Sequence, residues 1–241
     1  MTRVLMLVFF LVGQSSGQSP HHYTIISVPV DEEDSAYTLS GSYPQVEGLP
    51  DTVQITCNTR IQFLIQGWVN SFKADARSAY EESDSNSMGG SYLDISYRVN
   101  LATDDLLSMD LGWSGMIAWN AHPASEPSTM TFNLRNGEDI LLDDLFEPGT
   151  GFLDTLSRYC IDDILAQTNQ TYADEQLLEG ASPKADNFKD FSIDENSLII
   201  IFDVYQVASY GNAPGGYIVE IPLKRLKSVL KKNGPINSLL K

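Results

Sequence analysis

The sequence predicts an α+β fold on three observations. Short runs with strand-like alternation follow one another as a meander, mostly antiparallel, and turn residues punctuate them. Two longer stretches, beginning near Val53 and Phe152, carry apolar residues at helical spacing. At 241 residues, 42% of them hydrophobic and 20% charged, the chain can bury a core, either as one large domain or as two smaller ones.

The first residues place Arg3 ahead of an apolar run from Val4 to Val12, with small residues Ser15 and Gly17 before Gln18. That is the pattern of a secretory signal over residues 1–17. The run is far short of the roughly 20 apolar residues that span a bilayer, so export to the periplasm or the exterior is expected. No Cys follows the run, which argues against a lipoprotein. The formal net charge of -17 repels phosphate backbones and anionic membranes and favours cationic partners. Nucleic-acid binding is excluded on that ground, although solubility alone would also account for the charge.

After His21 and His22, Tyr23–Val30 reads as a strand, 31–34 as an acidic turn and Ala36–Tyr43 as the returning strand. A Gly- and Pro-punctuated loop, 44–50, leads to Asp51 or Thr52 as a helix cap. Val53, Cys57, Ile61, Leu64, Ile65, Trp68 and Phe72 then form one apolar stripe, which 74–82 extends before a Ser- and Gly-rich break. Tyr92–Leu101 and Leu106–Trp119 read as strands, the second with Gly112 and Gly115 as sites of a bulge or close approach. Met130–Leu134 and Asp139–Leu142 flank Asn136-Gly137, the signal of a tight hairpin. Phe152, Leu153, Leu156, Cys160 and Ile164 share a second helical face, and 172–180 reads as a short third helix. Phe188–Ile193 returns through Asp194-Glu195-Asn196 onto Leu198–Phe202, an apolar run suited to a strand buried on both faces. A Tyr- and Gly-rich connection leads to another strand and to a closing helix bearing Leu223, Leu226 and Leu230.

The two cysteines, Cys57 and Cys160, fit neither a redox CxxC nor a metal cluster. In an oxidising compartment they would pair as one long-range disulfide, worth on the order of 4 to 5 kcal/mol. The alternative is two separately buried thiols, since each sits on an apolar helix face. Asn169-Gln170-Thr171 has the form of a glycosylation sequon.

Leu142-Asp143-Asp144-Leu145-Phe146, Asn187-Phe188 and the run Phe202 to Tyr210, closed by Gly216, Ile221-Pro222 and Leu226, resemble the extracellular module of RsiV-type anti-sigma factors. The same module, of the DUF3298 kind, accompanies PdaC-type peptidoglycan deacetylases. Upstream, the helix from Val53, Ala121-His122-Pro123, Phe132-Asn133-Leu134 and Asn136-Gly137 resemble the smaller DUF4163-like domain that usually precedes it. The resemblance implies two small packed α+β subdomains, each a mostly antiparallel sheet with one main helix, over 23–125 and 126–232, with a tail over 233–241. It also implies binding of lysozyme or a wall fragment at the cell envelope. Neither a sigma-binding segment nor a deacetylase domain is present in the sequence, so a free-standing, non-enzymatic exported binding module is expected.

The candidate ligand-binding residues are Tyr205, Tyr210, Gly211, Asn212, Gly215, Gly216 and Tyr217, where aromatic rings meet exposed loop backbone, together with His122. The rival for the tyrosines is ordinary packing. The acidic pairs Asp104-Asp105, Asp143-Asp144 and Asp162-Asp163 raise an alternative function, hydrolysis of wall polysaccharide by two carboxyls flanking a sugar. Capping and surface solubility account for the same pairs. Ser114 in Gly112-Trp113-Ser114-Gly115 lacks the spacing of a nucleophile elbow. No catalytic residue, metal or cofactor is expected.

Overall fold

Alternating apolar residues on three long strands, among them Leu39, Leu93, Ile95, Leu107, Met109 and Leu111, turn one face of a six-stranded sheet towards the first helix. A computed structural model describes residues 22–82, 90–209 and 216–240. The expected signal segment and Tyr210, Gly211, Asn212 and Gly215 lie outside the described residues. The sheet comprises β1 (Thr24–Pro29), β2 (Glu32–Glu33), β3 (Tyr37–Glu47), β4 (Ser91–Ala102), β5 (Leu106–Met116) and β6 (Ala124–Asn133), in the order β1-β3-β4-β5-β6 with β2 beside β3.

All its pairings are antiparallel except β3 with β4, which α1 (Asp51–Glu82) joins by a crossover. Val53, Cys57, Ile61, Ile65, Phe72 and Ala76 of α1 are buried on that sheet. Asn58 ties the helix to the end of β3, accepting from the Val46 N–H at 2.8 Å and donating to its carbonyl at 2.9 Å.

The second core lies between α3 (Phe152–Thr168) and a three-stranded antiparallel sheet of β7 (Phe191–Ile193), β8 (Ser197–Phe202) and β9 (Tyr217–Pro222). Every residue of β8 is buried, as its unbroken apolar run implies. Two short helices, α2 (Leu142–Leu145) and α4 (Glu175–Gly180), flank α3 in sequence, and α5 (Leu223–Leu226) follows β9. Leu142, Leu145 and Phe146 are buried, and the Phe146 ring stacks on Phe152 at 4.3 Å between centroids. The architecture is thus α+β in two packed sheet-and-helix units.

The units meet through Leu101 and Leu106 of the first sheet, which pack in the second core, and through polar side chains that satisfy a strand edge. The outward N–H groups of Phe191 and Ile193 donate to Thr129 Oγ1 and Ser108 Oγ, each at 2.9 Å. A register shift between Val99 and Leu101 marks a bulge at Asn100. The side-chain amide of Asn100 bonds Asp110 at 2.7 Å and Ser192 at 2.9 Å. Arg98 completes the group, donating twice to Asp110.

Several local expectations are corrected. Residues 32–33 pair with β3 rather than lying wholly in a turn, and β3 continues to Glu47 through the expected loop. The expected hairpin of Met130–Leu134 with Asp139–Leu142 reduces to one bridge, Phe132 with Asp139, on the edge of β6 opposite β5, because the returning chain enters α2 at Leu142. The strand β6 also crosses position 125/126 within the first sheet. Gly115 marks close approach rather than a bulge: a Cβ there would lie 2.5 Å from the Tyr92 carbonyl oxygen. The closing helix stops at Leu226, although Leu230 is buried and bridges Phe146.

The Cys57–Cys160 disulfide is not formed. Both are free thiols at 0% exposure, Cys57 in the core under α1 and Cys160 in the core under α3, so each helix points its cysteine into a different interior. Burial pushes the Cys57 thiol up to about 11 and the Cys160 thiol further, with Asp163 adding to the latter.

Candidate functional site

Beyond Phe202 the chain turns sharply through 203–206, and Tyr205 takes a φ of 70° there. That region disfavours side chains with a Cβ, so the surroundings must hold it. Gln206 does most of this: its side-chain oxygen accepts from the Asp203 N–H at 3.0 Å, and its amide donates to the carbonyls of Gly180 at 2.9 Å and Asn187 at 3.0 Å. Gln176 donates to the Tyr205 carbonyl at 2.7 Å. Asn187 in turn ties the segment after α4 together through the carbonyls of Glu179 and Ser182. Gly180 has no room for a side chain, since a Cβ would lie 2.0 Å from the Gln206 carbonyl oxygen.

The turn is therefore clamped onto α4 with the Tyr205 side chain outward, 54% exposed. Leu178 and Tyr172 are also exposed. A shallow depression beside them is lined by Asp174, Glu175, Gln176, Leu178 and Glu179. Asp174 caps α4, accepting from the Leu177 N–H at 2.9 Å. The surface thus sets an exposed aromatic ring, on a backbone held by the clamp, beside an acidic rim.

Lys189 lies 3.4 Å from both Asp190 and Asp203 under this turn. Burial raises the Asp190 carboxyl above the usual range despite Lys189. The folded state accordingly holds this proton to higher pH than the unfolded chain, and stability falls as pH rises from about 4, the ordinary Asp value, through the raised one. Asp190→Asn is expected to raise the urea midpoint at pH 7, by an amount that shrinks as the pH is lowered to about 4. A midpoint change independent of pH would contradict this.

Other candidates are placed differently. Gly216 has a φ of 76°, and a Cβ on it would lie 2.2 Å from the Phe202 carbonyl oxygen. Tyr217 pairs with Phe202 and packs partly buried against the second core. Both serve the sheet beside Tyr205. His122 lies on the connection from β5 to β6 in the other unit, exposed, with Nδ1 2.9 Å from the Pro123 carbonyl oxygen.

The acidic pairs also separate. Asp105 takes a bidentate ion pair from Arg135 at 2.7 and 2.8 Å, which holds its carboxyl below the usual range. Asp144 caps α2 through the Leu141 N–H at 2.9 Å. Asp162 and Asp163 lie on α3 beside β9. Ser114 is exposed on a regular strand pair with Asp94. Among the described residues no group of three or more His, Cys, Asp or Glu could hold a metal ion. Sequence reading missed Gln176, Leu178 and the α4 carboxylates, because α4 reaches the Tyr205 turn through tertiary contacts, Gln206 with Gly180 and Gln176 with Tyr205, 26 and 29 positions apart.

The model of a family described as "Protein of unknown function (DUF3298)" matches residues 143–224. Peptidoglycan-N-acetylmuramic acid deacetylase PdaC of Bacillus subtilis is 30% identical over 111 residues, 46% of this chain and 22% of that protein. The chain thus spans about a fifth of that relative's length. Among solved structures, a DUF3298-family protein of Bacteroides fragilis superposes with a TM-score of 0.69 at 17% identity, over 91% of this chain and 98% of that one. A DUF3298-family protein of Pseudomonas aeruginosa gives 0.61 at 13% identity, over 89% and 96%. At these identities the structural likeness shows a common fold.

Proposed function

We propose that this chain is a non-enzymatic, exported envelope protein whose Tyr205 surface binds a cationic protein, with lysozyme-like proteins as the leading class. The observation that carries the reading is Tyr205 itself, an exposed aromatic ring on a positive-φ residue of a turn that four side-chain hydrogen bonds of Gln176 and Gln206 hold in place. Backbone strain concentrates at functional sites, and a rigid tyrosine presents contact area at small entropic cost. The acidic rim of α4 and the net charge of -17 supply attraction for a cation. The relative named for peptidoglycan supports an envelope setting. In this reading the β7–β9 sheet with α3 and α4 is the binding unit, and the six-stranded sheet with α1 is the accompanying unit.

Titration with a C-type lysozyme is expected to saturate at one per chain and to weaken as salt rises. Tyr205→Ala should raise Kd by about tenfold or more. Equal affinity of the variant, or unsaturable binding shared with cytochrome c as a second cationic protein, would overturn the proposal.

A further inference from the structure

We propose a second binding site, independent of the Tyr205 surface: the open edge of β9 and the groove between it and α3 take an extended, Lys- or Arg-bearing peptide by strand addition. The first observation is the ladder itself. Leu223 donates to the Asn196 carbonyl at 2.8 Å, which marks that opposed pair as hydrogen-bonded. Antiparallel pairs alternate, so Ile221, Val219 and Tyr217 turn their backbone groups towards β8, while Ile218 and Glu220 turn theirs outward. No strand pairs with that outward edge among the described residues.

The contrast with the opposite edge is direct. The outward N–H groups of β7 end on hydroxyls of the first sheet. On β9 the Ile218 carbonyl accepts from the Gln167 side chain at 2.9 Å, and Gln167 also bonds Asp163 at 2.6 Å. An edge left open in this way is a template for another chain.

The second observation is a cleft of about 250 Å³ along the same edge, lined by α3 residues including Tyr159, Asp162 and Asp163 and by β9 residues including Glu220. Three carboxylates line it against one lining cation, Arg225; Arg225 and Arg158 lie over the Tyr159 ring at 5.8 and 5.5 Å, which leaves the acids in excess. Charge complementarity therefore selects a basic peptide. Side chains of an added strand alternate between faces. Those on the side of buried Val219 and Ile221 would meet Asp162 and Asp163 on α3, and those on the other side would lie beside Ile218 and Glu220. Backbone pairing supplies affinity and the acids supply selection. Gln167 competes for the Ile218 carbonyl and must swing aside.

The test follows amide hydrogen exchange by NMR on the full chain, with an acetylated and amidated peptide of alternating Lys and Val. Exchange at Ile218 and Glu220 is expected to slow about tenfold or more, as for amides entering a ladder. A Glu–Val peptide, or the Lys–Val peptide N-methylated on alternate residues, should leave both amides unchanged. Asp162→Asn combined with Asp163→Asn should weaken binding about tenfold with the circular dichroism spectrum retained. Gln167→Ala should tighten binding a few-fold, which a purely structural glutamine would not do, and Tyr205→Ala should leave it unchanged, which separates this site from the first. The proposal is overturned by unprotected amides at millimolar peptide, by equal protection from the Glu–Val peptide, or by shifts confined to Tyr205 and α4.

Discussion

Gly41→Ala is expected to destabilise the chain by roughly 3 to 4 kcal/mol, lowering Tm by roughly 10 °C for a protein of this length. Gly41 stands where the pairing of β3 with β4 ends: Tyr37 to Gly41 pair in parallel with β4, and beyond it Ser42 to Glu47 pair antiparallel with β1. The bend requires a φ of 106°, and a Cβ there would lie 1.9 Å from the Ile95 carbonyl oxygen. That obstacle is backbone of the paired strand, so relief means parting β3 from β4 rather than moving a flexible side chain. The crossover through α1 depends on this pair, so the damage should reach the packing of Cys57 and Ile61. A Tm within about 2 °C of the parent protein would contradict the assignment. Gly67→Ala is the control, because a Cβ there meets nothing within 4 Å and removes a helix-interior glycine.

Much of the fold was legible because burial imposes periodicity. The stripe from Val53 to Phe72, the alternation in 92–101 and the unbroken apolar run 198–202 each state which faces are covered. Partner choice was not legible. Nothing local in Asn136-Gly137 tells that the segment after the turn stays with β6 for one bridge only before α2, or that the other edge of β6 carries the long ladder with β5. Likewise, Cys57 and Cys160 were each read correctly onto an apolar helix face, but which core that face enters depends on tertiary packing. The crossover from β3 to β4 escaped the meander expectation for the same reason.

The site divides in a comparable way. The Tyr- and Gly-rich composition singled out Tyr205, and the structure places it outward beside an acidic rim. His122 was grouped with it only by residue type, and the fold puts it on the other unit. The residues carrying the family resemblance, Asn187, Phe188, Gln206 and Val207, are mainly clamps and core, with Phe188 and Val207 at 2% exposure or less. What sequence could not show was the edge of β9. An outward-facing N–H is a property of register.

Phe202→Ala is expected to cost roughly 3 to 5 kcal/mol, read as a loss of urea midpoint with an unchanged slope. Phe202 is wholly buried in the second core, its ring edge-on to Phe188 at 6.1 Å between centroids. Removing the ring leaves a cavity between β8 and the turn Ala185–Phe188, which Asn187 anchors to α4 and Gln206 anchors to the Tyr205 turn. Relaxation into that space would move the clamp as well as the core. Lysozyme affinity should therefore fall in Phe202→Ala under conditions where the variant remains folded. Phe202→Leu keeps most of the volume and should cost less than about 2 kcal/mol with affinity nearly retained. If Phe202→Ala loses stability but binds as tightly as the parent chain, Tyr205 is held by its hydrogen bonds alone, and the core beneath contributes only to folding.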